Sequence, residues 1–522
     1  MNFFDDYEGP FGFGGDDDDE FAGGDPKGNE ERQERRKKYF EEELKRYREA
    51  KRRERLGDDS SSHHSKSDDS EESRPAFLNP EILEELVDYC IENGKFEEAL
   101  DFALLLTERA PFNGDGWHRR GMLEAHHGKF DNALASYEKA LSMNPADNEL
   151  LINYGIALDA IGRSSEALSI FDRALSTDPT NDEALFNKGI CYEKAERFQD
   201  AIAIFKYLTD NKELAKDAWY ELGFCYDSID ELEKALGAYE AHLDLDPFNF
   251  NAWYNHGILY NQMGMFNKAI ESYEMSLAIK EDFPASWYNR GNAYANLGKL
   301  NEAIESYKEC LKHDAEDVSA WHNLANAYEE LHRWRDAIRC FSQAVKYDPR
   351  HSESFFGRGS CYDALDQPLR ALEDYEKALA INNNYPELWY AKADALYNLG
   401  KLDEAVMAYR MVLELAPKDF EAWFDYSETL YEMGKLDDAM NGYESAIALE
   451  PAWADAHYGR SKILYQKGKL IEACTELTVT FRLDLTKLKL YETEFPDLSS
   501  EQNFKQLDAL IRESLMKPDS EE

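Results

Sequence analysis

The 522-residue chain carries 105 acidic against 59 basic side chains, a formal net charge of -46 that repels polyanions and argues against a nucleic-acid groove. With 43% hydrophobic and 13% aromatic residues it holds enough apolar material for a sizeable core, which excludes a wholly disordered chain. The longest apolar stretch, near Ala103 to Leu106, is far short of a bilayer span and MNFFDDYEGP lacks a basic n-region and an apolar h-region. Together with seven cysteines that form no CxxC pair, this predicts a cytoplasmic, non-membrane protein.

In chain order, residues 1–25 hold nine acidic residues, no Lys or Arg, and scattered Gly and Phe, a composition expected to stay disordered. Residues 26–56 carry 13 basic and 8 acidic residues among strong helix formers, and Phe40, Leu44 and Tyr47 give this predicted helix one thin apolar edge. Residues 57–79 read as a polar Ser/Asp-rich linker.

From Pro80 a 34-residue period runs to Lys487 without insertion or deletion, which makes twelve units. Its strictest position is alanine in every unit: Ala99, Ala133, Ala167, Ala201, Ala235, Ala269, Ala303, Ala337, Ala371, Ala405, Ala439 and Ala473. Within one unit, Trp287, Gly291 and Tyr294 share one helix face and Ala303, Tyr307 and Leu311 another, so each unit predicts two short antiparallel helices. Gly298, Gly400, Gly434 and Gly468 stand where the first helix must stop, and Pro145, Pro179, Pro247, Pro349, Pro417 and Pro451 end the second. After Lys487, Ser499 and Gln502 form a capping-box signature before the apolar stripe Phe504, Leu507, Ile511 and Leu515, so residues 488–522 predict a capping helix and tail.

These units resemble the tetratricopeptide repeat family, whose pattern W-x2-L-G-x2-Y, A-x3-F, P is carried by Trp117, Trp219, Trp253, Trp287, Trp321, Trp389 and Trp423 with Gly121, Gly155, Gly189, Gly223, Gly257, Gly291 and Gly359. The end units depart from it: Leu83, Val87 and Cys90 fill the Trp, Gly and Tyr slots of the first, and His457, Ser461 and Leu464 those of the last. The resemblance implies an all-α fold, a right-handed superhelix of twelve helix-turn-helix repeats with a C-terminal capping helix. It also implies a concave groove lined by the first helices.

On that face the sequence places Asn153, Asn187, Asn255, Asn289 and Asn323, with Asn292 and Asn326 one turn on and the aromatics Tyr220, Tyr254 and Tyr288 beside them. A row of asparagines offers donors and acceptors to the backbone of an extended peptide, similar to the asparagine ladder of O-linked N-acetylglucosamine transferases. The competing reading is a solvated polar face. Acidic residues at the second unit position, including Glu149 and Glu183, favour a basic or mixed-charge ligand, and they argue against the family's carboxylate clamp, which needs Lys or Arg there.

Cys191, Cys225 and Cys361 alternate with alanines at one unit position and read as small core residues rather than a metal set. No nucleotide, zinc-protease or hydrolase motif occurs, so no catalytic residue, cofactor or metal is expected. The functional expectation is a non-enzymatic scaffold that binds a protein partner. The alternatives are an acidic assembly chaperone for basic proteins and a targeting subunit for a catalytic domain on another chain. For the basic segment, residues 27–55, two readings stand: a charged helix left in solvent or recruiting a separate acidic partner, or one that docks in the groove on the same chain, Phe40, Leu44 and Tyr47 against groove aromatics and its arginines on acidic slots such as Glu149 and Glu183, competing with outside partners.

Overall fold

The computed structural model describes residues 26–55, 79–210, 213–488 and 494, whose regular structure is helical. The tail 1–25, the linker 57–78 and the capping helix expected at 499–515 lie outside the described residues. The chain forms two compact units, Met1–Pro247 and Phe248–Glu522.

The first unit opens with α1 (Pro26–Arg55), followed by the pair α2 (Pro80–Glu92) and α3 (Phe96–Arg109). Four further pairs follow: Gly114–His126 with Phe130–Met143, Asn148–Ala160 with Ser164–Thr177, Asp182–Lys194 with Phe198–Leu208, and Ala215–Ser228 with Leu232–Leu245. The second unit repeats the arrangement from Phe250–Gln262 with Phe266–Ile279 to Ala454–Gln466 with Leu470–Leu483, then closes on a short 3-10 turn, Leu485–Lys487. In each unit the second helix of a pair packs on the first helix of the next.

Local chemistry sets this period. Before the first helix of many pairs an Asn or Asp side chain caps the turn: Asp317 Oδ1 accepts from the Ala320 amide at 2.9 Å, and Asn249 Oδ1 from the Ala252 amide at 3.1 Å. The tryptophan indoles tie the helix to the preceding loop, as where Trp287 Nε1 donates to the Glu281 carbonyl at 2.8 Å and Trp321 Nε1 to that of Ala315 at 2.9 Å. The first helix then stops on a left-handed residue. Gly298 takes φ +70°, but the same register is filled by Glu196, Asp230, His332 and Asp366, all with positive φ, so the stop is wider than the Gly-Lys signal.

The alanine slot explains itself by packing. All twelve alanines are fully buried. Gly291 is small for the same reason: a Cβ there would fall 2.6 Å from the Tyr307 ring, which is itself 1% exposed. Burying one such ring contributes about 1.5–3 kcal/mol, and the ring recurs in every pair but the first and last, which carry Ala103 and Leu477 there, as Tyr137, Phe171, Phe205, Tyr239, Tyr273, Phe341, Tyr375, Tyr409 and Tyr443. The irregular end residues keep the pattern by burial rather than identity, since Leu83, Val87, Cys90, His457, Ser461 and Leu464 are all buried. Cys191, Cys225 and Cys361 are buried too, and burial pushes the thiols of Cys191 and Cys361 up to about 12.

The basic segment does not lie on Glu149 and Glu183. It covers the first pair: Phe40 and Leu44 enter one apolar cluster with Leu83, Leu86, Val87, Tyr89 and Phe102, and Tyr47 packs beside them. Its cations meet other carboxylates, Arg36 with Glu85 at 2.9 Å, Arg48 with Glu98 at 2.6 Å, and Lys51 with Asp101. The physical reason is that the first pair has no preceding pair to bury the apolar face of α2 and α3.

Candidate functional site

Every first helix buries one stripe against its own partner helix, so the residues left on the other stripe are those at the second, fifth, sixth, ninth and twelfth positions. In the second unit these residues are joined across neighbouring first helices. Asn289 Nδ2 donates to Tyr254 Oη at 2.9 Å, and one repeat later Asn323 Nδ2 donates to Tyr288 Oη at 3.1 Å. Asn323 Nδ2 also reaches Asn292 Oδ1 at 2.9 Å, an oxygen that accepts from the Tyr307 hydroxyl at 2.8 Å.

The two tyrosines are half-buried against ring neighbours, Tyr254 against Tyr273 and Phe283, and Tyr288 against Tyr307. Burial raises the Tyr254 phenol above its ordinary value, and the hydrogen bond from Asn289 works in the opposite direction. The Tyr254 phenol therefore stays neutral and keeps its own proton to donate. Asn255 and Asn326 are half-buried on the same helices.

The first unit uses its predicted residues differently. Asn153 is buried at 5% exposure, with Nδ2 3.0 Å from His118 Nε2, so it belongs to the interior and is withdrawn from the row. Asn187 Nδ2 donates to its own helix at the Glu183 carbonyl, 2.9 Å away. Tyr220 packs edge-on to Tyr239 and His242.

Farther along the second unit the pattern turns from amide to carboxylate. Asp425 takes the place of asparagine and accepts from the Tyr390 hydroxyl, again 35 residues back. Asp394 accepts from Tyr409 at 2.5 Å and Asp363 from Tyr375 at 2.6 Å. These three aspartates recur at intervals of 31 residues, the same step that joins Asn292 to Asn323. None of the three pairs with a Lys or Arg among the described residues. Burial raises all three carboxyls above the usual range, and for Asp425, with Asp394, Glu421 and Glu428 adding to the effect, the value reaches about 6. Sequence reading found the acidic second positions but missed this row, whose signal is the 31-residue recurrence of Asp363, Asp394 and Asp425.

A half-buried row of neutral amides and phenols followed by uncompensated carboxylates can bind backbone and cations. It holds no nucleophile beside a base. No helix among the described residues is long and apolar enough to cross a membrane.

Comparison with known proteins agrees with the repeat geometry. Tetratricopeptide repeat models match residues 125–185, 186–250, 284–317, 322–386 and 386–429, and a TPR repeat model matches 257–298 and 428–468. No curated protein matches the chain. Similar solved structures include YrrB, described as a TPR protein with an unusual peptide-binding site, at 22% identity and a TM-score of 0.34 over 36% of this chain and 96% of that one. They also include the Cut9-Hcn1 hetero-tetramer of the APC/C, at 14% identity and 0.36 over 84% and 97%, and PilF of Pseudomonas aeruginosa, at 20% and 0.35 over 40% and 94%. From the strict alanine slot, the paired helices and these matches along the chain, it follows that the protein belongs to the tetratricopeptide repeat family.

Proposed function

We propose that the chain is a non-enzymatic scaffold of twelve repeats that holds an extended partner peptide along its first helices. Tetratricopeptide repeat proteins typically mediate protein–protein interactions, and the reading here is more specific. Asn289, Asn292 and Asn323, with Tyr254 and Tyr288, meet the backbone of the peptide; Asn255 and Asn326 extend the row. Asp363, Asp394 and Asp425 meet its Lys or Arg side chains.

The observation that carries this reading is the hydrogen bond from Asn289 to Tyr254, repeated from Asn323 to Tyr288. Each bond fixes an amide through its nitrogen, so the row is ordered before a ligand arrives and loses little entropy on binding. The carboxylates support a basic ligand because none of them has a Lys or Arg partner among the described residues, and a ligand cation would supply one; Asp425, raised to about 6, is mostly ionised at neutral pH.

Selection of a random peptide library on the full-length protein tests the proposal. Selected peptides are expected to be rich in Lys and Arg and to lose binding on Asp394→Asn/Asp425→Asn and on Asn289→Ala/Asn323→Ala. Peptides that bind both variants as tightly as the wild type would overturn it. Peptides of no common pattern, released by salt alone, would point instead to a charge-matching chaperone.

A further inference from the structure

The end face formed by α2 and α3 lies apart from the row just described. Its apolar floor is Leu83, Leu86, Val87, Tyr89 and Phe102, and its rim is acidic, with Glu85, Glu98 and Asp101. What covers it is one narrow edge of α1. Phe40 and Leu44 are 4% and 2% exposed, whereas Lys37, Lys38, Tyr39, Glu41, Glu42, Lys45 and Arg46 around them stay exposed. Phe40 meets the Tyr89 ring at 5.3 Å between centroids and Tyr47 meets Phe102 at 4.8 Å, while the Tyr47 hydroxyl donates to Asp101 at 2.6 Å.

We propose that this end face is a docking site for a basic amphipathic helix, held in this chain by α1 and open by exchange to a partner helix of the same chemistry. That chemistry is an aromatic residue, Leu and Tyr at i, i+4 and i+7, flanked by Arg and Lys.

Charge selects the occupant. Residues 26–56 carry 13 basic and 8 acidic residues, against 82 acidic and 44 basic over residues 80–522, so α1 is a net cation on a polyanion. Two uncovered end faces would bring Glu85, Glu98 and Asp101 against their own copies, and an acidic helix would meet the same repulsion. Only a basic helix neutralises the rim while filling the floor.

Exchange follows from how α1 is held. Among the described residues its apolar anchoring is a single stripe of three side chains spaced over two turns, with ion pairs whose cations remain open to solvent. Arg36 keeps 61% of its side-chain surface exposed, Arg48 57% and Lys51 39%, so salt reaches each pair. Being on the same chain, α1 occupies the seat at a high effective concentration that an outside helix must exceed. Weakening α1 therefore opens the seat without altering it.

The test uses the full-length protein and, as probe, a fluorescein-labelled synthetic peptide of residues 27–55. Phe40→Asp/Leu44→Asp in the full chain releases α1. This variant is expected to bind the peptide at least tenfold tighter than the wild type does. Binding is expected to fall at least tenfold when Glu98→Gln/Asp101→Asn is added, and between 50 and 300 mM salt. A peptide carrying the same two aspartates is expected not to bind. Equal binding by wild type and released variant, or equal binding of the two peptides, would overturn the proposal. Should releasing α1 also loosen the first pair, amide exchange decides: the peptide is expected to restore protection to residues 96–109, and failure to restore it counts against the site.

Discussion

Asn289 and Tyr254 stand 35 residues apart in sequence and 2.9 Å apart in the fold, amide nitrogen to phenol oxygen. The same step joins Asn323 to Tyr288 and Asp425 to Tyr390, so one 35-residue relationship orders both the neutral and the acidic stretch of the first-helix row. Removing Asn289 is expected to raise the Tyr254 phenol further, since burial already raises it and the asparagine hydrogen bond opposes that shift. Phenol titration of wild type and Asn289→Ala reads this directly; an unchanged Tyr254 titration would deny the hydrogen bond its role.

Ala303 is fully buried at its helix junction. Ala303→Leu should overpack it and destabilise by roughly 1–3 kcal/mol. Urea denaturation measures the loss, and an unchanged midpoint would contradict the close packing assigned to the slot.

Asp366 follows its helix at φ +57°, where the next repeat uses Gly400, and its side chain is exposed. Asp366→Gly relieves the left-handed strain at the expense of a more flexible unfolded chain, and the expected balance is a gain of about 0.5–1 kcal/mol. A lower thermal midpoint for this variant would show that the aspartate contributes something the backbone does not.

Arg358 and Asp374 form a buried bidentate pair at 2.6 and 2.8 Å, and Arg358 also reaches Ser342 Oγ at 3.0 Å. With side chains 14% and 3% exposed, the pair is protected from solvent. Asp374→Ala leaves the guanidinium without its counter-charge and should cost about 3–5 kcal/mol, whereas replacing both residues with apolar ones should cost less. A double-mutant cycle gives both numbers.

Asp425 links the row to pH. Its carboxyl is raised to about 6 by burial and by neighbouring carboxylates. A raised folded value means that its stabilising contribution is complete below an unfolded value of about 4 and is lost as pH rises through about 6. At pH 7.5 the ionised group is therefore a net cost, and because the side chain is only half-buried we expect Asp425→Asn to be more stable by only about 1 kcal/mol there. The difference should vanish below pH 4. A difference that stays constant from pH 4 to 7.5 would remove the titration from the explanation.

Much of the fold was legible because a period of 34 residues repeats one local problem many times. A buried Ala303 beside Tyr307 and a left-handed Gly298 leave signals in composition that single elements do not. What stayed hidden was pairing between repeats. Asn153 and Asn289 occupy the same unit position, yet Asn153 is buried on His118 while Asn289 sits half-exposed on Tyr254, because the partner 35 residues back differs. The placement of α1 was hidden for a similar reason. Its stripe Phe40, Leu44 and Tyr47 could be read, but the face it covers is defined by what the first pair lacks.

The central claim is that an extended basic peptide lies along the first helices of the second unit. Hydrogen exchange of the full-length protein, with and without a basic peptide obtained by selection, tests it most directly. The account predicts slowed exchange in Pro284–Asn296, Val318–Glu330, Pro386–Asn398 and Phe420–Glu432, with Leu300–His313 and Leu402–Leu415 unchanged. Protection confined to those second helices, or absent from all six segments while the peptide is bound, would contradict it.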